Sequence, residues 1–323
     1  MACLSTSQIV PILGFRYYRT RDKMNKLFIN ESGRLRSGWR ASFFLVVFLF
    51  LSALMIFGAL AVIAALPFGQ SITGFLPLTI PFLFSTVVAV LLGWLFGKKF
   101  DGVPFSALGI SPRKGWLKNL VFGCLVGGVA FCSAVIIAVM AGGMSLARND
   151  TSAASAISIT LLTTLVIFVA GAASEETLFR GYLLQTFTRE KAIFIGVAFT
   201  SLLFAFAHNN NPAANWFSSL NTLLAGVWFA AAYLKTRDLW FPFGVHLAWN
   251  WLQGPVFGIN VSGIAEFSPD PILRATDIGP AWLTGGSYGI EGGIACTFAI
   301  LISIGLIQYL PGLKSEPPAV AGG

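Results

Sequence analysis

Charged side chains are scarce in this chain of 323 residues: Asp, Glu, Lys and Arg make up 11% of it, against about 25% in a soluble domain. That shortage excludes a water-soluble globular fold. Six runs, 41–97, 119–147, 151–174, 192–234, 239–265 and 292–313, carry no charged residue at all. A helix that crosses a bilayer needs about 20 mostly apolar residues. The two longest runs hold two such helices each, broken near Pro67–Gly74 and Asn209–Asn215. The expected fold is all-α, a polytopic membrane helix bundle of about eight transmembrane helices around a central intramembrane site.

Other absences narrow the chemistry. The four cysteines, Cys3, Cys124, Cys132 and Cys296, form no CxxC or other metal-ligand spacing, and in apolar segments they read as small hydrophobes. No HExxH is present, which removes the usual helical zinc-peptidase motif. There is no internal repeat and no soluble domain boundary. No cleavable signal is expected, because the first long apolar run begins after residue 40 and is too long for an h-region. Met24 opens a stretch that reads as a natural start, so residues 1–23 are expected to be dispensable or to follow from a mis-called start.

What charge there is has a pattern. The formal net charge is +8, yet eight of the Lys and Arg fall in residues 1–40 and five more between the second and third spans. The 258–291 loop holds Glu266, Asp270, Asp277 and Glu291 against Arg274. This is a positive-inside distribution and not a nucleic-acid patch. It predicts both termini in the cytoplasm and an acidic last loop outside. Residues 1–40 read as a basic arm, with Arg34, Arg36, Arg40 and Trp39 anchoring at the interface. Residues 41–313 form the membrane domain, and 314–323 a tail disordered by composition.

Later spans carry finer signals. Gly123, Gly127 and Gly128 sit at small-residue spacing in the helix expected over 117–141, where they allow close helix contact. Helicity from about 155 continues past its apolar run, because EETLFRGYLLQTFTRE keeps the helical period. Further helices are expected over 190–208, 215–234 and 293–310, and Pro242 suits the first turn of another.

The polar residues inside these spans are few. Glu175 has Leu178 and Phe179 at +3 and +4, an apolar setting suited to a carboxylate tuned as a general base. Glu176 has Arg180 at i+4, and a buried pair of this kind is tenable only if both members stay paired. Glu175 is therefore assigned to chemistry, and Glu176 with Arg180 to holding the site. The plainer reading makes both acids the charged end of a helix. His208 has Phe204 one turn back, which would fix its ring; alternatively it is an interfacial residue. His246 and Asn250 share a helix face and offer two donors aimed at one point, as an oxyanion site requires; alternatively they join two helices. Glu175 lies about 15 residues before the turn at Arg189–Lys191 and His208 about 18 after it, at similar depth. Straight helices would leave His208 and His246 at opposite ends, so a broken or re-entrant segment is expected, with HNNNPAAN the candidate.

EETLFR, FAFAH and HLAWN, in that order, resemble the EExxxR, FxxxH and HxxxN motifs of the CPBP family, which includes type II CAAX prenyl endopeptidases and the bacterial bacteriocin-processing or self-immunity Abi group. The resemblance implies an intramembrane endopeptidase. Glu175 and His208 would activate a water, His246 and Asn250 would stabilise the oxyanion, and Glu176, Arg180 and Phe204 would support the site. Family members have been described both as metalloproteases and as metal-independent glutamate proteases. Glu175, His208 and His246 are the set a zinc ion would take with an open position. A carboxylate with oxyanion donors suffices without a metal, and the reading leans that way. Expected partners are the bilayer and a peptide or protein substrate, prenylated or otherwise membrane-associated, and no nucleic acid; the expected location is a bacterial cytoplasmic membrane. Two competing readings remain, a proton-coupled transporter using intramembrane Glu and His and a non-catalytic scaffold or bacteriocin self-immunity protein on the same fold.

Overall fold

A computed structural model describes residues 27–65, 75–310 and 313. Hydrocarbon offers no water to backbone groups, so each apolar run must pair its N–H and C=O groups within itself. The runs do so as α1 (Ser37–Ala65), α2 (Phe75–Phe96), α3 (Trp116–Met140) and α4 (Ala154–Glu176). α4 continues beyond its apolar run, as its periodicity required. It passes through a widened π-helical segment, Thr177–Leu183, kinked at Gly181, into α5 (Leu184–Arg189). Then come α6 (Ile193–His208), α7 (Trp216–Thr236), α8 (Trp240–Trp251), the short α9 (Ala281–Thr284) and α10 (Ile294–Tyr309). Pro242 falls in the first turn of α8, where its missing N–H has no partner to lose.

Five stretches among the described residues are long and apolar enough to cross a membrane: Ser37–Ala65, Leu76–Asp101, Trp116–Met140, Ala154–Arg189 and Trp216–Thr236. α6 and α10 are apolar but have 16 residues each. The break expected at Pro67–Gly74, the proposed start at Met24 and the 314–323 tail lie outside the described residues.

α3 and α8 pack backbone to backbone. A Cβ on Gly123 would stand 2.2 Å from the Phe241 carbonyl oxygen, and one on Gly127 2.2 Å from that of Val245. Gly244 faces back, with the Leu120 oxygen at 2.4 Å from its own ideal Cβ. These glycines are therefore spacers that set the distance between two helices. Gly128 faces a side chain instead: a Cβ there would lie 3.3 Å from Leu252 Cδ1, a close contact that the flexible leucine can relieve.

Two segments that read as outside loops pair with each other. β1 (Met144–Arg148) and β2 (Leu273–Asp277) are antiparallel, Met144 opposite Asp277 and Arg148 opposite Leu273. Each is five residues long, too short for an alternation to stand out in the sequence. Asn149 locks the end of the ladder: its amide donates to the Pro271 carbonyl at 2.8 Å and its oxygen accepts from Arg274 at 3.0 Å.

The opposite end, where the basic loops lie, holds a charge cluster. Arg40 is 2% exposed and pairs with both Asp101 and Glu190. Arg189 reaches the second oxygen of Asp101 at 2.9 Å, and Arg34 donates to the Asp101 carbonyl at 3.0 Å. Arg40 is thus a buried tie between α1 and the α2 and α5 termini. The interfacial role expected of it does not hold, because its partners lie 61 and 150 residues along the chain and local pattern does not register them.

Candidate active site

The kink after α4 sets the site. Glu175 and Glu176 end α4, and the widened turn rotates Arg180 inward beneath them. π-helical segments of this kind recur at functional positions. Arg180 is completely buried; its guanidinium donates to Glu176 Oε1 at 3.1 Å and to the Gly226 carbonyl at 3.1 Å. The rings of Phe204 and Phe229 cover it, with centroids 4.8 and 4.9 Å from Cζ. Desolvated cation–π contacts of this type are worth about 2 kcal/mol or more, which helps offset burying the charge.

The sequence assigned Glu176 to Arg180 alone. In the structure the same Oε1 also meets His246 Nδ1 at 2.9 Å. A carboxylate can only accept here, so Nδ1 carries the proton. Phe229 lies parallel to the imidazole, centroids 4.5 Å apart and 15° between planes. His246 is therefore fixed in orientation and tautomer, with Nε2 directed at Glu175, 3.8 Å from its Oε2. That distance is too long for a hydrogen bond, and Oε2 of Glu175 is buried with no partner among the described residues. A buried acceptor left without a partner is costly, so this oxygen is available to a water or a substrate.

His208 is held differently. Its Nδ1 donates to the Phe204 carbonyl, 2.8 Å away, and its ring lies 4.7 Å from that of Phe204. With Nδ1 donating, a neutral His208 keeps a free lone pair on Nε2. Phe204 does more than its expected part, since its ring also contacts Arg180 and, edge-on, His246 at 6.2 Å.

Glu175, His208, His246 and Asn250 all line one cavity of about 390 Å³. The depth problem raised by straight helices disappears because α6 ends at His208 and α8 is only 12 residues long. The chain turns at Asn209–Asn215 and restarts under a capping box at Asn215. Phe48, Phe82, Ile167 and Phe168 are among the cavity's apolar lining residues; Asn211, Asn221, Ser262 and Glu291 are among its polar ones, the last three joined by hydrogen bonds. Among the described residues, no three His, Cys, Asp or Glu groups have the spacing to hold a metal ion. Glu175, His208 and His246 thus do not fit as the three ligands of one zinc ion.

Sequence reasoning missed two contributors. Phe229 stacks on both His246 and Arg180, yet a phenylalanine among many in an apolar helix gives no signal. Glu291 was read as one acid of an outside loop. It is the last charge before a charge-free run, and that position was the only hint of depth. Its Oε2 accepts from the Ser262 N–H at 2.6 Å and the Ser262 hydroxyl at 2.9 Å. Burial pushes its carboxyl above the ordinary carboxylate range, while the Ser262 donors and nearby His208 work against that rise.

A cavity that gathers two carboxylates, two imidazoles and an amide inside a bundle of membrane-crossing helices is suited to acid–base chemistry. Comparison agrees: the family model of type II CAAX prenyl endopeptidases, Rce1-like, matches residues 156–252. An uncharacterized 24.3 kDa protein of Escherichia coli is 31% identical over 155 residues, which covers 46% of this chain and 69% of that protein. The chain belongs to the CPBP family. At the level of the family it is a CAAX-protease-like intramembrane endopeptidase, an integral membrane protein whose substrate is a peptide or protein.

Proposed function

We propose that this protein hydrolyses peptide bonds with a water activated by Glu175 and His208, and without a metal. The observation that carries the reading is the unpartnered Oε2 of Glu175, buried in a cavity that His208, His246 and Asn250 also line. The water stands between the Glu175 carboxylate and the free Nε2 of His208. One of them takes its proton as the oxygen attacks the scissile carbonyl carbon, and the same proton passes to the leaving amine as the C–N bond breaks. The tetrahedral oxyanion accepts from Asn250 and from His246, whose ring is held in place by Glu176 on Nδ1. Arg180 neutralises Glu176 and fixes its direction. Phe204 positions His208 through its carbonyl and Arg180 through its ring.

The substrate is membrane-associated, and a prenyl chain suits the apolar lining of Phe48, Phe82, Ile167 and Phe168. The protein sits in a bacterial cytoplasmic membrane with both termini and the Arg40 cluster on the cytoplasmic side. The charge distribution and the Escherichia coli relative support this.

The test is cleavage of prenylated and unprenylated peptides by protein reconstituted in vesicles. Glu175→Ala, His208→Ala and His246→Ala are each expected to abolish cleavage while insertion persists, and chelation leaves the wild type fully active. Normal cleavage by the three variants would sink the mechanism. Flux of solute dependent on Glu175 would point to transport instead, and an intact cellular phenotype of Glu175→Ala to a scaffold.

A further inference from the structure

We infer that the polar lining of the cavity takes a Lys or Arg side chain of the substrate next to the scissile bond, with Glu291 as its counter-charge. The inference rests on the peptidase reading above and names the class of substrate for that site.

The mechanism gives Glu291 no task, yet the fold spends much to keep its carboxylate in the cavity wall. Asn221 of α7 donates to the backbone oxygen of Glu291 itself at 2.8 Å and to that of Gly293, two residues on, at 2.9 Å. Thr297 in turn fixes the Asn221 oxygen at 2.7 Å. Ser262, which grips the carboxylate with N–H and hydroxyl, does so from a left-handed backbone conformation, φ 49°. A serine held there is strained, and such strain persists where the surroundings enforce it, often at functional sites. The neighbouring Gly263 packs so closely on the turn after His208 that a Cβ would lie 1.9 Å from the Pro212 oxygen. The loop is therefore pressed onto the catalytic turn, and the carboxylate is preorganised.

Charge balance points to a cation. The donors that reach Glu291, the Ser262 N–H and hydroxyl and the Gln253 amide, are neutral. Among the described residues no Lys or Arg lines the cavity. Arg180 is enclosed by Phe204 and Phe229 and committed to Glu176 and Gly226. The charged and titratable groups facing this space are Glu175, His208 and His246, with Tyr288 and Cys296 behind Glu291. A second carboxylate in the cavity that Glu175 lines, close to His208, repels an acidic substrate residue and is best satisfied by a guanidinium or ammonium.

The experiment uses the reconstituted full chain and peptides that share one cleavable sequence, with Lys, Gln or Glu placed in turn on each side of the cut. On one side of the cut, wild type is expected to prefer Lys over Gln in kcat/KM by about tenfold or more, the scale of a charge-assisted hydrogen bond, and to disfavour Glu. Glu291→Gln levels the Lys and Gln peptides, and Glu291→Lys favours the Glu peptide. Ser262→Ala, which removes one donor and leaves the acid, gives a partial loss of the preference. Indifference of wild type to charge overturns the inference without needing any variant, as does a Lys preference that survives in Glu291→Gln. Cleavage by Glu175→Ala would instead overturn the underlying mechanism, whatever the charge preference.

Discussion

Two arginines are buried in this membrane protein, and their surroundings differ in one respect. Arg40 sits in a closed account of charge: two cations, Arg40 and Arg189, face two anions, Asp101 and Glu190. Arg180 sits under two carboxylates and pairs with one of them, Glu176. Both acids keep a buried oxygen without a hydrogen bond, but the remaining one, Glu175, has no guanidinium of its own, and its Oε2 lies 3.8 Å from an imidazole. A cluster in which every carboxylate meets a cation holds helices together and keeps no free base. A cluster with one carboxylate in excess is costly in the folded state, and that excess is what can move a proton. The same residue types thus tie helices together at one end of the bundle and, on the proposed mechanism, move a proton in its middle.

The sharpest break of this contrast is Glu175→Gln. It should lower kcat by about 10²–10⁴, the range of general acid–base catalysis, while leaving stability equal or raised. A fall in stability matching the fall in rate would erase the distinction. Next is Arg40→Met, expected to cost about 3–5 kcal/mol, because Asp101 and Glu190 lose their shared cation in a buried place. Unfolding in detergent measures it, and the fraction that stays folded should cleave at a near-normal rate. Gly127→Ala should cost about 1–3 kcal/mol through overpacking against the Val245 carbonyl. It should also lower kcat more than it raises KM, since Val245 precedes His246.

The smallest effect is in pH. Burial alone would raise the Glu190 carboxyl, but Ser37, Asn30 and the Arg40 charge outweigh burial and hold it below the ordinary range. A lowered folded value means that the stabilisation is complete above the ordinary carboxylate pKa of about 4.3. It is lost as pH falls through the lower folded value. Thermal unfolding of wild type and Glu190→Gln should therefore converge with acidification below about pH 4. Curves that stay parallel would place no linkage at Glu190.

Much of the site was legible because its motifs are local. Glu176–Arg180, Phe204–His208 and His246–Asn250 are i,i+4 pairs, and a helix brings such residues together whatever else the chain does. Glycine spacing showed that α3 could take a close helix contact, but not that α8 makes it. The contacts between motifs were not legible. Glu176 to His246 spans 70 residues, and its sharing between arginine and histidine follows from how α4 and α8 pack. β1 and β2 were missed because five polar-facing residues signal a strand only once a partner is beside them. Arg40 was misplaced because a basic residue before a span looks alike whether it meets lipid or a buried acid.

The sequence by itself determined that this chain lies in a membrane, where its helices run, and which few polar side chains they carry, since hydrocarbon forbids charge without purpose and a helix repeats every 3.6 residues. Only the tertiary structure decided which acid is spent and which is spare. That division depends on a guanidinium reaching one carboxylate and missing its neighbour, a matter of how a kinked helix packs against three others.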